Sequence, residues 1–168
     1  MPRAPRRLEI QEAQDWLIFW QAAVALQYGR ICVGEPRSPE PSTASQVDTC
    51  LFAIALRNFL RAAELMQAVA DERHARPLGD ALRRFYESAP DVKDIRDVLE
   101  HFDAYAQGRG KLQVETMPFS LLHESTGGGF RLHVIGLDRP AGEVASLDIH
   151  SAAQAVMSLC KEIVSVLN

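Results

Sequence analysis

The sequence has few cysteines, little net charge and few aromatic residues. Its 168 residues include 3 cysteines, and aromatic residues make up 7% of the chain. Cys32, Cys50 and Cys160 are far apart and form no CxxC pair, which favours small buried thiols in a reducing compartment. The net charge of −4 excludes a strong overall attraction to nucleic acid, although a local basic patch is compatible with it.

Lysine is scarce as well, and no targeting segment stands out. Of the 18 basic residues only Lys93, Lys111 and Lys161 are lysines, which indicates a GC-rich genome such as that of many bacteria. No stretch of about 18 apolar residues could span a membrane. Residues 1–7 are basic, but the apolar core and cleavage site of a signal peptide do not follow them. We therefore expect a cytoplasmic protein without a membrane segment.

Length and composition are typical of one globular domain. Hydrophobic residues make up 47% of the chain and charged residues 24%, the balance of a protein with a packed core. We expect a single domain over residues 1–168 that is mainly α, of the α+β kind. It begins with a bundle of about four helices in residues 8–108, continues with a β-rich segment in residues 111–150, and ends with a closing helix in residues 151–168.

The first helix is predicted over residues 8–28, where apolar residues recur at three- and four-residue steps. Around Trp16, Phe19 and Trp20 it is apolar on nearly every side. Such a helix is either central in the fold or buried against a partner. We favour core packing for this aromatic cluster, and docking of a partner helix is the alternative.

The second helix is predicted to begin near Thr43, which has capping-box spacing with Gln46. Its apolar stripe is expected to consist of Val47, Leu51, Ile54, Ala55, Ala62, Leu65, Met66 and Val69. On a helical wheel Asn58 falls in the middle of this stripe and Arg61 lies at its edge. A buried amide needs a hydrogen-bond partner, so Asn58 either makes a local bond or lines a polar pocket for a small ligand.

Two further helices are predicted before the chain changes character. A short third helix is expected to start at Pro77, because proline is favoured in the first turn. The fourth is expected over residues 92–106, with a core stripe of Ile95, Val98, Leu99, Phe102 and Ala106. Gly108 is its predicted C-terminal stop.

The remaining third of the chain has the pattern of a small antiparallel sheet and a helix. Residues 119–123 and 130–135 predict a hairpin, and residues 144–149 a third strand. If the hairpin turns about Gly128, His123 and His133 face each other, but two ligands are too few for a metal site. The closing helix is predicted to open with a capping box of Ser151 and Gln154.

One motif in the fourth predicted helix points to chemistry. Arg96 is followed by the polar Asp97 and, after four intervening residues, by His101. This arrangement on a late helix of a bundle resembles the Rx4-6H motif of HEPN-domain proteins. In one subgroup of that family a tyrosine follows two residues after the histidine. Here that position is Asp103, with Tyr105 further along, so the match to this subgroup is partial.

The resemblance implies a metal-independent endoribonuclease without a cofactor, often a toxin with a cognate antitoxin, that acts as a homodimer with two facing motifs. It implies that Arg96 holds the scissile phosphate of RNA and that His101 is the general acid or base. The chemistry is sound, since a guanidinium fits phosphate and histidine titrates near neutral pH. Asp97, His101 and Tyr105 share one face at i, i+4 and i+8, so Asp97 is expected to orient the imidazole.

Two other functions fit the sequence. The first is a non-catalytic helical module that binds or assembles with another protein, as the apolar first helix and the β-rich segment indicate. The second is a small-ligand sensor with a pocket at Asn58. A cleft or dimer seam that brings Arg96 and His101 together would favour the ribonuclease, whereas a large protein interface would favour the binding module.

Overall fold

The computed structural model describes residues 7–33, 43–114, 120–126, 129–140 and 143–167. Its helices are α1 (Arg7–Val33), α2 (Thr43–Val69), α3 (Glu72–Ser88), α4 (Val92–Glu100), α5 (Phe102–Ala106) and α6 (Ile149–Leu167), and its strands are β1 (Ser120–Thr126), β2 (Gly129–Ile135) and β3 (Ala145–Asp148). The predicted class, mainly helical with a small antiparallel sheet and a C-terminal helix, is confirmed. Across these ranges no helix has both the length and the apolar character that crossing a lipid bilayer requires.

The two longest helices, α1 and α2, form an antiparallel pair. They pack along their lengths, and Arg30 near the end of α1 pairs with Asp48 near the start of α2 at 2.9 Å. The buried side chains of α1 are Ala13, Leu17, Val24 and Ile31. The helix continues to Val33 and does not end at residue 28, because a glycine such as Gly29 weakens a helix by about 1 kcal/mol without breaking it.

The aromatic cluster of α1 does not lie in the core, contrary to expectation. Trp16 is 46% exposed and Phe19 is 57% exposed, while Trp20 is partly buried against the core. The cluster is held by edge-to-face contacts of Phe19 with both tryptophans, at centroid distances of 5.9 and 5.1 Å. Because α1 is apolar on almost every side, its hydrophobic pattern could not distinguish the buried face from the outward one.

The predicted apolar stripe of α2 is correct in part, since Ala55, Ala62 and Met66 are buried as predicted. Val47, Leu51 and Leu65 are exposed, and Asn58 is at the boundary of the core and not at its centre. The buried residues that the predicted stripe did not include are Phe52, Ala53, Leu56, Phe59, Leu60 and Ala63. The reason is that α2 packs against α1, α3 and α4, so a broad arc is buried, and apolar residues occupy both this arc and its margin.

Two helices begin where aspartate side chains cap them, and not at the predicted residues. The carboxylate of Asp71 accepts a hydrogen bond from the His74 N–H at 3.1 Å, so α3 starts at Glu72 and Pro77 lies inside it. The carboxylate of Asp148 accepts from the Ser151 N–H at 2.8 Å, so α6 starts before the predicted capping box.

The sheet has the order β1-β2-β3, and both strand pairs are antiparallel. His123 is opposite Leu132 and His133 is opposite Leu122, so the two histidines do not face each other as the turn about Gly128 predicted. His133 instead lies 3.1 Å from Glu124. The inner face of β2 is buried against α6, whereas Gly128 itself and residue 119 fall outside the described residues.

An arginine joins the loop before β3 to the start of α4. The Arg139 guanidinium donates to Asp91 at 2.7 Å and to Asp94 at 2.5 Å. The second oxygen of Asp91 accepts from the Ser146 N–H of β3 at 2.8 Å. Arg139 and Asp91 are largely buried, with exposed side-chain fractions of 19% and 15%. This cluster therefore fixes the sheet against the helix that contains Arg96.

We expect Arg139→Ala to lower the free energy of unfolding by about 2 kcal/mol, because it leaves two part-buried carboxylates without their cation. Denaturant titration followed by circular dichroism would measure this. Arg83→Ala is the matched control, since Arg83 pairs with Asp80 at 2.9 Å on the surface and is 66% exposed. Equal midpoints for the two variants would contradict a clamping role for Arg139.

Candidate functional site

The predicted motif lies where the chain bends between α4 and α5. The predicted helix over residues 92–106 is wrong in one respect: it is interrupted at His101, which has φ −122° and ψ 30°. The His101 N–H closes α4 by donating to the Asp97 carbonyl at 3.0 Å, and its own carbonyl accepts from the Ala104 N–H at 3.0 Å. The imidazole is exposed. The interruption places His101 at the surface on a short and well-bonded junction.

Arg96 is largely buried beside this junction. Its side chain is 15% exposed and forms an ion pair with Glu100, one turn further along α4. The Nε atom of Arg96 is buried and has no hydrogen-bond partner within the described residues. A buried unpaired donor is uncommon in folded proteins, so this guanidinium retains capacity for a further acceptor.

A second arginine approaches the same carboxylate from α2. Arg61 Nη1 lies 4.0 Å from Glu100 Oε1, and it donates a long 3.5 Å hydrogen bond to the amide oxygen of Asn58. Arg61 and Arg96 therefore converge on Glu100, so two positive charges share one negative charge. The structure brings together three of the predicted residues, Asn58, Arg61 and Arg96. Glu100, which contacts both arginines, was not among the predicted residues. Its position four residues after Arg96 on a helix was the available signal.

Asp97 and Tyr105 form a separate contact directly below the bend. The Tyr105 hydroxyl donates to Asp97 Oδ2 at 2.9 Å and accepts from the Leu112 N–H at 3.3 Å. Burial of the ring and the bond to Asp97 raise the pKa of Tyr105 to about 12. The predicted pairing of Asp97 with the His101 imidazole is not found in the part of the chain described, because the carboxylate is directed to Tyr105. These two residues therefore support the bend from within the fold.

Phe102 completes the surface around His101. It was expected in the core stripe of the fourth helix, but it is 62% exposed because the bend turns α5 away from the direction of α4. An exposed aromatic ring is a surface on which an unpaired nucleobase can stack. Glu100, which pairs with both guanidinium groups, thus directly precedes the exposed His101 and Phe102 in the chain.

Other chemistries have less support from the described residues. There, no group of three or more His, Cys, Asp or Glu side chains is arranged to hold a metal ion. Burial raises the pKa of the Cys160 thiol to about 11 and raises that of Cys50, so neither is a ready nucleophile. Asn58 is partly exposed and bonded to Arg61, which does not favour a ligand pocket at this position.

Comparison with known proteins gives no relative from which a site could be transferred. Neither a protein-family model, nor a curated protein, nor a solved structure matches this chain.

Proposed function

We propose that this chain is a metal-independent endoribonuclease of the HEPN type, with its site at the α4–α5 bend. The observation on which the proposal depends is the convergence of Arg61 and Arg96 on Glu100 beside the exposed His101. A single carboxylate leaves a surplus positive charge at this point. A phosphodiester carries one negative charge and offers oxygens with the geometry of a carboxylate, so it competes with Glu100 for the same N–H donors.

In the proposed reaction the 2′-hydroxyl of RNA attacks the adjacent phosphorus, and the bond from phosphorus to the 5′-oxygen breaks. The 2′-hydroxyl loses its proton and the leaving 5′-oxygen gains one. His101 performs one of these transfers and Arg96 stabilises the charge that develops on the phosphate. The products are a 2′,3′-cyclic phosphate and a 5′-hydroxyl, and neither a metal nor a protein nucleophile takes part.

Phe102 gives a physical reason for RNA as the substrate class. Single-stranded RNA is recognised by stacking of splayed bases on aromatic side chains and by cationic contacts to its phosphates. The overall charge of −4 gives no long-range attraction, so recognition is local to this surface. As parts of the same proposal, the protein acts in the bacterial cytoplasm as a toxin restrained by an antitoxin, and it works as a homodimer.

The test is cleavage of single-stranded RNA by the purified protein in the presence of a chelator. We expect the wild type to cleave and Arg96→Ala to lose cleavage. Arg84→Ala is the control, because Arg84 also pairs with a glutamate, Glu162, but between α3 and α6 and not at the α4–α5 bend. An inactive wild type, or loss of cleavage in the control as well, would contradict the proposal.

A non-catalytic binding module is the second candidate, and a specific observation favours it. The outward face of α1 is apolar, with Ile18 and Leu26 more than 60% exposed. Exposed apolar patches of this kind are typical of protein interaction sites. If the wild type cleaves no RNA, this surface becomes the functional one.

A further inference from the structure

A strip of six charged residues crosses the contact between α2 and α4. Its members are Arg57, Arg61 and Glu64 on α2 and Lys93, Arg96 and Glu100 on α4. On each helix the three residues are separated by steps of three and four, so they share one face. Two contacts join the faces, because Lys93 Nζ lies 3.9 Å from Glu64 and Arg61 Nη1 lies 4.0 Å from Glu100. The Arg96 end of this strip is the proposed catalytic site, and the other end has no assigned role.

The unassigned end is built around Glu64. Arg57 Nη1 lies 3.2 Å from one oxygen of this carboxylate, and Lys93 Nζ lies 3.9 Å from the other. The Tyr86 hydroxyl donates to Glu64 at 2.6 Å and accepts from Arg57 at 3.0 Å, so the close pair is fixed in place. The Lys93 ammonium is 4.0 Å from the centroid of the Tyr86 ring, which supports it by a cation–π contact. We call Arg57, Lys93 and Glu64 the Glu64 group, and Arg61, Arg96 and Glu100 the Glu100 group.

The two groups have the same construction. Each contains one largely buried arginine, Arg57 at 14% exposed and Arg96 at 15% exposed, that pairs closely with its glutamate. Each also contains one half-exposed cation, Lys93 at 53% and Arg61 at 47%, that lies about one ångström further from the glutamate than a hydrogen bond allows. Because neither half-exposed cation is hydrogen-bonded to a glutamate, both can donate to an acceptor that arrives from solvent.

Each group has two cations and one carboxylate, so the strip carries a surplus of two positive charges in two places. The other acidic side chains of α4 do not cancel this surplus, since Asp94 pairs with Arg139 and Asp97 accepts from Tyr105. On α4 the two groups are about one helical turn apart, roughly 5 Å. A small anion would occupy only one of them. A nucleic-acid strand has a phosphate at every nucleotide and can meet both, as in grooves that track the backbone of a single strand.

We propose that the strip holds two neighbouring phosphates of one RNA strand, the scissile phosphate at the Glu100 group and the next phosphate at the Glu64 group. This inference rests on the proposed ribonuclease site and extends it by a second phosphate subsite. Lys93 makes the outer contact there, because it is the half-exposed cation of that group. The Glu64 group lies towards the start of α4, away from His101, so it binds the strand and takes no part in proton transfer.

The first experiment measures binding of a short 2′-O-methyl RNA strand, which cannot be cleaved because its attacking hydroxyls are blocked, over a range of salt concentrations. We expect Lys93→Gln to raise Kd about 5-fold and to lower the slope of log Kd against log salt by about 0.7, the value for one phosphate contact to a single strand. Lys161→Gln is the matched control, since Lys161 is an exposed lysine on α6. A wild type that does not bind the strand, or equal slopes for the wild type and Lys93→Gln, would overturn the proposal.

A second experiment separates the subsite from the ribonuclease by comparing a dinucleotide, which has a single phosphodiester, with a trinucleotide, which has two. We expect Lys93→Gln to lower kcat/KM for the trinucleotide about 5-fold more than for the dinucleotide, because only the longer strand reaches the Glu64 group. If the variant loses the same factor on both substrates, the second subsite is wrong and the ribonuclease stands. If the wild type cleaves neither substrate, the proposed function is wrong, and binding of the blocked strand alone decides whether the strip holds two phosphates.

Discussion

We expect His101→Ala to slow RNA cleavage by about 10²–10⁴-fold while leaving the affinity for RNA within a few-fold of wild type. The imidazole is exposed, and at the bend the residue bonds through its backbone N–H and carbonyl, which alanine retains. The substitution therefore removes a proton-transfer group without removing the support for the fold. Single-turnover cleavage, with RNA binding measured separately, would distinguish the two effects.

The control for this variant is His150→Ala, which removes another exposed imidazole. His150 lies on α6, where it contacts the Tyr28 hydroxyl at 2.5 Å and Gln154 at 2.8 Å. Its loss should leave the cleavage rate close to that of the wild type. If His101→Ala cleaves at the wild-type rate, His101 is not the proton-transfer group. If it loses RNA binding as strongly as cleavage, the imidazole binds substrate and does not act as acid or base.

Much of the helical architecture could be predicted from local signals in the sequence. The starts of α2 and α4, the glycine stop after α5 and the approximate strands all follow from periodicity, caps and turn residues. Gly108 has a φ of +71°, the left-handed conformation that its position after a helix favours. These signals are local, so they predict an element without information about which elements pack together.

The choice of buried face could not be predicted, because α1 and α2 are apolar on more than one side. A helix pattern shows which residues avoid water, but not which of two apolar faces meets the neighbouring helix. The hydrophobic pattern therefore predicts a buried aromatic cluster at Trp16 and Phe19 and an inward stripe through Leu51 and Leu65, although all four residues are exposed. In both cases tertiary packing buried the other face. The apolar faces that remain exposed are candidate surfaces for binding a partner.

The candidate site was predictable in part. The motif identified Arg96 and His101, and the wheel placed Arg61 near the polar edge of α2, but neither indicated that Glu100 links the two arginines. The bend at His101 depends on the contact of Tyr105 with Asp97 and Leu112, and hence on a loop that follows the helix. The helical spacing places Asp97 and Tyr105 on one face, but it does not indicate the contact with Leu112, which lies beyond residues 92–106.

The glycine that follows this bend is expected to be the most sensitive position of the site to substitution. A Cβ atom at Gly110 would lie 2.2 Å from Cδ1 of Tyr105, and two further ring atoms are within 2.5 Å. The ring is 1% exposed and cannot swing into solvent. We expect Gly110→Ala to lower the free energy of unfolding by about 2–4 kcal/mol, through overpacking and loss of the Tyr105–Asp97 hydrogen bond.

Gly79→Ala is the matched comparison, because it makes the same chemical change at another close contact. There the Cβ would lie 2.5 Å from Nε2 of Gln67, the far end of a flexible and partly exposed side chain that can move aside. Alanine also favours the helix by about 1 kcal/mol, so this variant should be neutral or slightly stabilised. If Gly110→Ala and Gly79→Ala have the same denaturation midpoint, the ring of Tyr105 is not rigidly held. If the midpoints of the two variants move in opposite directions, the packing of the Tyr105 ring is what keeps the bend rigid. The position of His101 depends on that bend.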